Sequence, residues 1–462
     1  MNHHHQPMTR GFMHLFASSR SRALSAALLA AGALAIGACK TDRILNANAP
    51  DVLPIDAYNT PDGADPLRYG VISDFVRSFD GNIDAFTVIS GTLADEIYAS
   101  DTFDDRLSVN ARRPVEINGI MESEYRHLQQ THIGAIQAAT VLAAVAPTKK
   151  FQRAEMYLLR GYTEIFFAEG WCSGTAFSTQ TLDGTVTYGK PNTTAELFQI
   201  AVASFDTALT LADTSLRVKY AAQVGRGRAL LGVGKYSEAS AAVQGVPRTF
   251  QYLTFHSTAS SREENGMWNA VANGATRYSL ISREGQNGLP YLELGNDPRV
   301  PWVPSSRTGF NSTSPNLPTE TKFGRTTSGI VADGTEAQLI QLEARLQGGT
   351  QADRDAVFAG LNALRTTNSP AIAAMSGSAP TTQAAAVDQL FAERAYWTWL
   401  TGHRLGDMRR LVRNYGRDAE SVFPTGTLQA PLVGSFGTAT SIVIPFNEKN
   451  NGNFSGCLDT KA

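Results

Sequence analysis

Apolar residues recur at helical spacing through much of this 462-residue chain, and this periodicity restricts its fold more than any other feature. One stripe begins at Leu67, and further stripes predict helices over residues 122–144, 151–168 and 195–212, the last of them capped by Thr194. An apolar residue every three or four positions gives a helix one face that must be buried. We therefore expect a core of helices packed on helices.

A turn between two short stripes indicates how these helices are connected. Residues 218–231 and 236–243 predict an αα-hairpin around Gly234-Lys235-Tyr236-Ser237-Glu238-Ala239. This Gly-x-Tyr-x-x-Ala turn resembles the middle of a tetratricopeptide repeat, in which small residues let two helices approach closely and the tyrosine packs across the turn. The predicted fold class is mainly α, an irregular tetratricopeptide-like helical solenoid.

Residues 245–334 interrupt this periodicity with a long stretch rich in Gly, Ser, Asn, Thr and Pro. A stretch of this length without regular elements is usually either functional or disordered. Aromatic residues are scattered through it, which argues against disorder, so we expect an ordered, loop-rich insertion. Helices resume over residues 335–347, 353–365 and 384–401, and a short strand is expected from Val443.

The first 38 residues have the pattern of an export signal. An apolar run from Ala23 to Ile36 follows three arginines, and it is shorter than the ~20 apolar residues of a spanning helix. Because Ile36-Gly37-Ala38-Cys39 is a bacterial lipobox, we expect cleavage before Cys39 and fatty acyl chains, palmitate among them, on that cysteine. An ordinary secretory signal with an incidental cysteine is the alternative.

Composition describes a globular domain behind this signal. Residues 39–62 are polar and broken by prolines, as in a tether. Of the 40 Lys and Arg, three leave with the signal, so 37 remain against 42 Asp and Glu and the net charge is near −5. This balance offers no basic face for nucleic acid. No later segment is apolar enough to cross a membrane.

The three cysteines are consistent with an oxidising compartment. Lipidation would use Cys39, which leaves Cys172 and Cys457 as a candidate disulfide. Such a bridge would tie the C-terminus to the end of a central helix. Two buried free thiols are the alternative.

Motifs of catalysis and cofactor binding are not found. Gly234-Lys235 is followed by Tyr236, so the phosphate-binding loop is missing. His127 and His132 lie five residues apart, which does not place them on one helix face for zinc. There is no Gly-x-Ser-x-Gly elbow and no focused pair of carboxylates. We predict no catalytic residues, no metal and no cofactor.

A colinear set of short motifs links the chain to a known family. Leu390-Phe391-Ala392-Glu393-Arg394, continued by residues 402–410, resembles the C-terminal signature of the SusD/RagB family of outer-membrane nutrient-binding lipoproteins. Supporting matches are Ala94-Asp95-Glu96, Leu159-Arg160-Gly161-Tyr162, Leu361-Asn362-Ala363-Leu364-Arg365 and Ile444-Pro445. The acidic tract that often follows the lipidated cysteine in this family is missing. The sequence is therefore consistent with an anchor that faces the cell surface and with one that faces the periplasm.

The resemblance implies both a domain plan and a function. It makes residues 63–462 a SusD-like domain, with helical repeats over 63–244, a ligand-side insertion over 245–334 and C-terminal helices over 335–462. A protein of this family captures an oligosaccharide or other polymer fragment at the cell surface and passes it to a SusC-like TonB-dependent transporter, without chemistry. A structural lipoprotein that uses its helices to dock other proteins is the alternative.

The signature residues are expected to have a structural role. Arginine side chains that pair with carboxylates commonly fix a helix end against its neighbours. We expect Asp407 to pair with Arg404 or Arg410, or to compete for the partner of Glu393. The signature residues are Glu393, Arg394, Gly402, Arg404, Asp407 and Arg410.

Ligand contacts are expected in the insertion. Sugar rings have apolar faces that stack on aromatic side chains, and neighbouring polar groups bind the hydroxyls. The alternative for each aromatic is that it only packs its own loop onto the helices. The candidate ligand-binding residues are Trp268, Tyr278, Trp302, Asn296 and Asp297.

Overall fold

The computed structural model describes most of the predicted domain as one compact unit. The predicted signal 1–38, the lipidation site Cys39 and the predicted tether as far as residue 58 lie outside the described residues. Helix α1 begins at Pro61, inside the predicted tether, where the Thr60 hydroxyl accepts a hydrogen bond from a backbone N–H. The described residues are 59–181, 184–274, 276–429 and 432–461.

Amphipathic helices form most of the domain. From α4 to α10, each helix packs against the helix that follows it, which is the nearest-neighbour stacking of a helical-repeat protein. The mainly α, tetratricopeptide-like fold class is therefore confirmed. The helices are α1 Pro61–Phe79, α2 Phe86–Leu93, α3 Asp104–Asn110, α4 Gly119–Val145, α5 Lys150–Gly170, α6 Thr194–Leu211, α7 Leu216–Gly232, α8 Tyr236–Ala242, α9 Gly334–Leu346, α10 Gln351–Thr366, α11 Gln383–Trp397, α12 Arg404–Tyr415 and α13 Ala419–Val422.

Close helix packing depends on glycines in the α5–α7 layer. A Cβ on Gly161 of α5 would lie 2.8 Å from the Phe205 ring, and one on Gly225 of α7 would lie 2.4 Å from the same ring. Beside them, the Tyr162 hydroxyl donates to the Ala221 carbonyl oxygen at 2.8 Å. The Leu159–Tyr162 motif is therefore a packing motif.

The predicted cap of α6 is corrected by the structure, and helix α2 is absent from the sequence-based prediction. Thr193, not Thr194, caps α6: its hydroxyl accepts from the Glu196 N–H at 3.2 Å, and the Glu196 carboxylate accepts from the Thr193 N–H at 2.7 Å. This reciprocal pair needs a glutamate three residues after the cap, which only Thr193 has. All residues of helix α2 are buried, so none of its faces is exposed to solvent. Its sequence therefore has no amphipathic stripe from which the helix could be predicted.

The C-terminal region also differs from its prediction. The predicted helix 384–401 ends at Trp397, since Leu400 and Gly402 have left-handed φ angles of 58° and 73°. Val443 does not begin a strand. Instead, Ile442 forms a single parallel bridge with Trp171, and a 3-10 helix follows over Phe446–Asn450.

The loop-rich insertion is fixed to the helical part by short antiparallel strand pairs. Strand β1, which precedes the insertion, pairs with β7 inside it, and β6 pairs with β10 across it. A second apolar cluster, which includes Tyr291 and Trp399, fills the space beneath. The strands are β1 Tyr98–Ala99, β2 Thr175–Ala176, β3 Thr179–Gln180, β4 Val186–Thr187, β5 Pro191–Asn192, β6 Gln251–Leu253, β7 Tyr278–Ser279, β8 Trp302–Val303, β9 Thr319–Glu320 and β10 Ile330–Asp333.

The candidate cysteines are joined in a disulfide, Cys172 to Cys457, across 285 positions of sequence. Cys172 is buried just after α5, and its N–H donates to the Ile442 carbonyl oxygen at 2.8 Å. The N–H of the next residue, Ser173, donates to the Asp459 carbonyl oxygen at 3.0 Å. The C-terminal segment therefore runs back along the end of α5.

The signature residues form a buried network of ion pairs around α12. Asp407 accepts from Arg394 at 2.9 and 3.0 Å and from Arg410 at 2.9 Å. Arg410 also makes a two-pronged pair with Glu343 of α9, at 2.8 and 2.9 Å. One carboxylate thus connects α11 to α12, and one arginine connects α12 to α9.

Of the three alternatives expected for Asp407, the structure contains the pair with Arg410, and the other two are not formed. Arg404 does not pair with Asp407 but with Asp95, at 2.6 and 2.7 Å, because α12 directs it towards the segment after α2. Glu393 lies on another side of α11 and accepts instead from Arg299 and Arg365, each at 2.7 Å.

Gly402 provides the turn that separates α11 from α12. Its φ of 73° lies in the left-handed region that glycine adopts without strain. Its carbonyl oxygen accepts from Arg228 at 3.0 Å, and Arg228 also pairs with Glu169. All six signature residues therefore act in holding helices together.

The charge of Asp407 is stabilised by its neighbours. Burial would raise the pKa of this carboxyl group, but the positive charges of Arg394 and Arg410 hold its pKa well below the ordinary value of 3.8. A group with a lowered folded-state pKa stabilises the fold above its unfolded-state pKa and loses that contribution as the pH falls.

We expect Gly225→Ala to destabilise the protein by about 1–3 kcal/mol, because the added methyl group overlaps the Phe205 ring. Gly70→Ala is the matched control. A Cβ there meets nothing within 4 Å on the exposed face of α1, so alanine should add about 0.5–1 kcal/mol of stability. Urea unfolding of both variants measures the difference. Equal behaviour of the two glycines would contradict this packing argument.

We expect Asp407→Asn to cost about 3–5 kcal/mol near neutral pH, because it leaves the buried Arg394 without its hydrogen-bonded carboxylate and Arg410 with Glu343 alone. Its matched control is Asp388→Asn, an exposed residue paired with Arg417 at 2.6 Å, which should cost less than about 1 kcal/mol. Below about pH 4 the carboxyl group is protonated on unfolding, so the gap between wild type and Asp407→Asn should narrow. A gap that stays constant in urea titrations down to acid pH would refute the assigned role of the charge.

Candidate ligand-binding site

The three aromatic candidates from the sequence belong to the core of the insertion more than to its surface. Tyr278 is fully buried, and its hydroxyl donates to Asp84 at 2.6 Å. Trp268, in a short π-helical turn, and Trp302, in β8, are half-buried against the second apolar cluster. Each ring thus packs its own segment onto the rest of the domain.

The polar candidates lie apart from these rings. Asn296 is exposed after a 3-10 turn. Asp297 pairs with Arg299 at 2.7 Å, and Arg299 reaches Glu393 of the signature network. Burial would raise the pKa of Asp297, but Arg299 lowers it overall. The five candidates are not brought together in either of the two recesses that we describe for this domain.

A different group of side chains forms an exposed aromatic surface at the edge of the insertion. Phe103 and Phe310 leave 55% and 45% of their surface exposed. The guanidinium group of Arg277 lies 3.8 Å from the centre of the Phe310 ring and 5.9 Å from that of Phe103. We call these three residues the aromatic shelf. A planar cation between two rings is a favourable and rigid arrangement.

The backbone brings the shelf residues together from distant parts of the sequence. The β1–β7 pair places Ser100 beside Arg277, whose carbonyl oxygen accepts the Ser100 N–H at 2.9 Å. The Phe310 N–H donates to the Thr276 carbonyl oxygen at 3.0 Å. A Cβ on Gly309 would lie 2.8 Å from Ser100, so glycine there permits the close approach of the Phe310 loop.

Charged groups beneath the shelf hold Arg277 in place. Its guanidinium group donates to both carboxylate oxygens of Asp101, at 3.1 Å. Arg106 donates to Asp101 at 2.7 Å and to Asp84 at 2.6 and 2.8 Å, and it lies over the Tyr278 ring. Burial would raise the pKa of Asp101, but hydrogen bonds from the Thr102 N–H, Arg106 and Arg277 lower it overall. Tyr278 therefore supports the shelf from below.

A recess of about 460 Å³ adjoins the shelf. It shares the 309–314 loop, in which the Gly309 N–H donates to the Ser314 carbonyl oxygen and the Ser314 hydroxyl bonds Tyr98 at 2.8 Å. Burial raises the pKa of the Tyr98 phenol, which keeps it neutral. The other described lining residues are Leu280, Ile281, Ser282, Arg283, Leu292, Pro315, Asn316, Leu317, Pro318 and Gln429.

The lining of this recess combines apolar walls with hydrogen-bonding groups, the usual composition of a small-molecule site. Among its described lining residues, Arg283 alone is charged. In the part of the chain that the structure describes, no cluster of His, Cys, Asp and Glu is suited to a metal ion, and no helix is long and apolar enough to cross a membrane.

The sequence contains only weak signals for the shelf. Phe103 stands alone in a polar segment after the Asp95-Glu96 motif, outside any apolar stripe, and such an isolated aromatic residue is the one available indication. Phe310 is one of several aromatics in the insertion. The hydrogen bond from the Phe310 N–H to Thr276, which places this ring on the shelf, joins residues that are far apart in sequence.

Comparison with known proteins gives a structural match only. No protein-family model matches the chain, and no curated protein matches it. A SusD superfamily protein from Bacteroides thetaiotaomicron has a TM-score of 0.63 at 15% sequence identity, over 87% of this chain and 100% of the other. A SusD-like carbohydrate binding protein from Bacteroides vulgatus has a TM-score of 0.60 at 12% identity, over 86% and 97%.

A laminarin binding SusD-like protein has a TM-score of 0.59 at 14% identity, over 87% of this chain and 100% of the other. Each of these matches covers nearly the whole length of the solved structure. The architecture of this chain is therefore the SusD-like fold, as its C-terminal signature predicted.

Proposed function

We propose that this protein binds oligosaccharides without cleaving them, and that the aromatic shelf with its adjoining recess is the binding site. The observation that carries this proposal is the exposed Phe103–Arg277–Phe310 stack, held rigid by Asp101. The SusD-like fold, found in proteins described as carbohydrate binding and laminarin binding, supports it.

The chemistry of the surface suits a sugar. The apolar face of a pyranose ring stacks on an exposed aromatic ring, which buries surface that otherwise contacts water. Ser282, Asn316 and Gln429 offer donors and acceptors to hydroxyl groups in the recess. Because Arg277 and Asp101 already satisfy each other, little ordering is needed on binding, which favours affinity.

We further propose that the protein is an outer-membrane lipoprotein anchored through acyl chains on Cys39, facing the cell surface, and that it delivers its ligand to a SusC-like TonB-dependent transporter. The lipobox and the SusD-like fold support this assignment. More than one acyl chain gives a stable anchor.

Phe310→Ala should weaken oligosaccharide binding at least tenfold, which corresponds to about 1.4 kcal/mol, because it removes one of the two aromatic rings of the shelf. Phe446→Ala is the matched control: its ring is similarly exposed and also carries a cation, Lys449, at 4.3 Å. Titration calorimetry with neutral oligosaccharides on the chain from Lys40 onward measures both, with a product assay on the same samples.

The same titrations separate the competing functions. Saturable heat without product supports capture. Turnover would make the protein an enzyme and refute the non-catalytic assignment. The absence of binding across glycans and peptides would favour the alternative, a docking lipoprotein that binds other proteins.

Cys39→Ala should abolish incorporation of labelled palmitate and move the protein out of the outer-membrane fraction, because no acyl chain can then be attached. Cys457→Ala is a control that removes a cysteine but leaves the lipobox intact, so it should still be labelled. Labelling and membrane fractionation in cells measure both. Labelling of the Cys39→Ala chain would show that the lipobox assignment is wrong.

A further inference from the structure

A second and larger recess is lined by α1, by the turn between α1 and α2 and by part of the insertion. None of its lining residues belongs to the shelf. Its volume is about 900 Å³, within the roughly 300–1,000 Å³ of ligand sites in proteins. One wall is the exposed face of α1, with Tyr69, Ser73 and Arg77 one helical turn apart. The other wall is formed by Phe255 and residues 260–263. We call this recess the α1 cleft.

The walls of the α1 cleft are fixed before any ligand binds. The Gly266 N–H donates to the Asp80 carbonyl oxygen at 2.6 Å, and a Cβ on Gly266 would lie 2.2 Å from the Asn82 backbone. The Asp80 carboxylate accepts from Thr254 at 2.7 Å and lies 3.1 Å from His256. The end of α1 is therefore clamped to the insertion on either side of Phe255.

The loop that forms the second wall is ordered by its own hydrogen bonds. The Ser257 N–H donates to the Glu263 carbonyl oxygen at 2.9 Å, and the Glu263 carboxylate accepts from the Ser257 and Ser260 hydroxyls. A loop closed in this way presents a defined surface, which lowers the entropy that binding must cost.

Two aromatic rings from different segments are left exposed in the α1 cleft. Tyr69 exposes 61% of its surface and Phe255 exposes 69%. The Arg68 guanidinium lies 5.1 Å from the centre of the Tyr69 ring. Single exposed aromatics are common on protein surfaces. Here two exposed aromatic rings lie in one recess, and a guanidinium group lies over one of them. The aromatic shelf has the same combination of exposed rings and a cation.

The polar lining selects the kind of ligand. Charged side chains are balanced, with Asp74 and Glu263 against Arg77 and Arg262, and Asn82 adds a neutral donor and acceptor. A balanced lining gives no net attraction for a strongly anionic or cationic ligand. Carboxylate, amide and guanidinium groups together match the mixed donors and acceptors of sugar hydroxyls.

We infer that the α1 cleft is a second binding site for neutral oligosaccharides, with Tyr69 and Phe255 as stacking platforms. The inference rests on the proposed function, because it assigns the same ligand class to a separate surface. None of the residues that line the α1 cleft lines the recess beside the shelf. The two sites can therefore be removed one at a time.

Calorimetric stoichiometry tests the inference on the chain from Lys40 onward, with laminarihexaose, maltohexaose and xylohexaose as neutral probes and hexagalacturonate as an acidic one. We expect a neutral probe to bind at two sites per chain in the wild type. Tyr69→Ala with Phe255→Ala should leave one site of unchanged affinity, and Phe310→Ala should leave the other. Tyr188→Ala, a similarly exposed tyrosine elsewhere, should keep both.

Hydrogen exchange gives a second readout. In the Phe310→Ala chain, the neutral probe should still slow amide exchange at least threefold in residues 255–263. The inference would be overturned if the wild type bound the probe at a single site that is lost in Phe310→Ala and unchanged in affinity in the Tyr69→Ala, Phe255→Ala variant. That result would leave the proposed function intact. Tighter binding of hexagalacturonate in the α1 cleft would overturn the neutral class. No binding of any probe by the wild type would overturn both assignments.

Discussion

The pairing of buried arginines with buried carboxylates around α12 is the interaction on which the rest of the structure depends. Transfer of such ions from water is costly, and the pairs are retained only because each carboxylate is met by a matched guanidinium group. Asp407 pairs with Arg394 and Arg410, and Glu343 of α9 pairs with Arg410 as well. A guanidinium group donates two parallel hydrogen bonds to a carboxylate in only one relative orientation. These pairs therefore define how the three helices α9, α11 and α12 meet.

Arg404, a signature residue outside these pairs, connects α12 through Asp95 to the segment that leads into the candidate ligand site. This carboxylate accepts from Arg404 of α12, from the Tyr291 hydroxyl at 3.2 Å and from the Leu289 N–H at 2.9 Å. Strand β1 begins three residues later, at Tyr98, and pairs with β7 to place Arg277 on the shelf. A signature whose role is structural therefore fixes the position of the surface that we propose to bind sugar.

The sequence predicts the helices well and the site poorly, for a physical reason. Apolar stripes report local burial, so they locate α4 to α7, whereas α2 is buried on every face and has no stripe. The aromatic content of the insertion predicts an ordered region but not which rings face water. Tyr278 and Phe310 look alike in sequence. Strand pairing across about 180 residues buries Tyr278, whereas the loop that carries Phe310 leaves its ring 45% exposed. No local pattern contains that information.

The turn between α1 and α2 connects the two candidate surfaces. Asp80 at its start holds the α1 cleft together through Thr254 and His256. Asp84, four residues later, accepts from Tyr278 and Arg106, which support the shelf. Two carboxylates in one short turn thus clamp two parts of the insertion, so both surfaces keep a fixed position relative to α1. If a polymer is bound at one of the two surfaces, the other surface is held at a fixed distance from it. The second contact then forms within the same complex, at a high effective concentration.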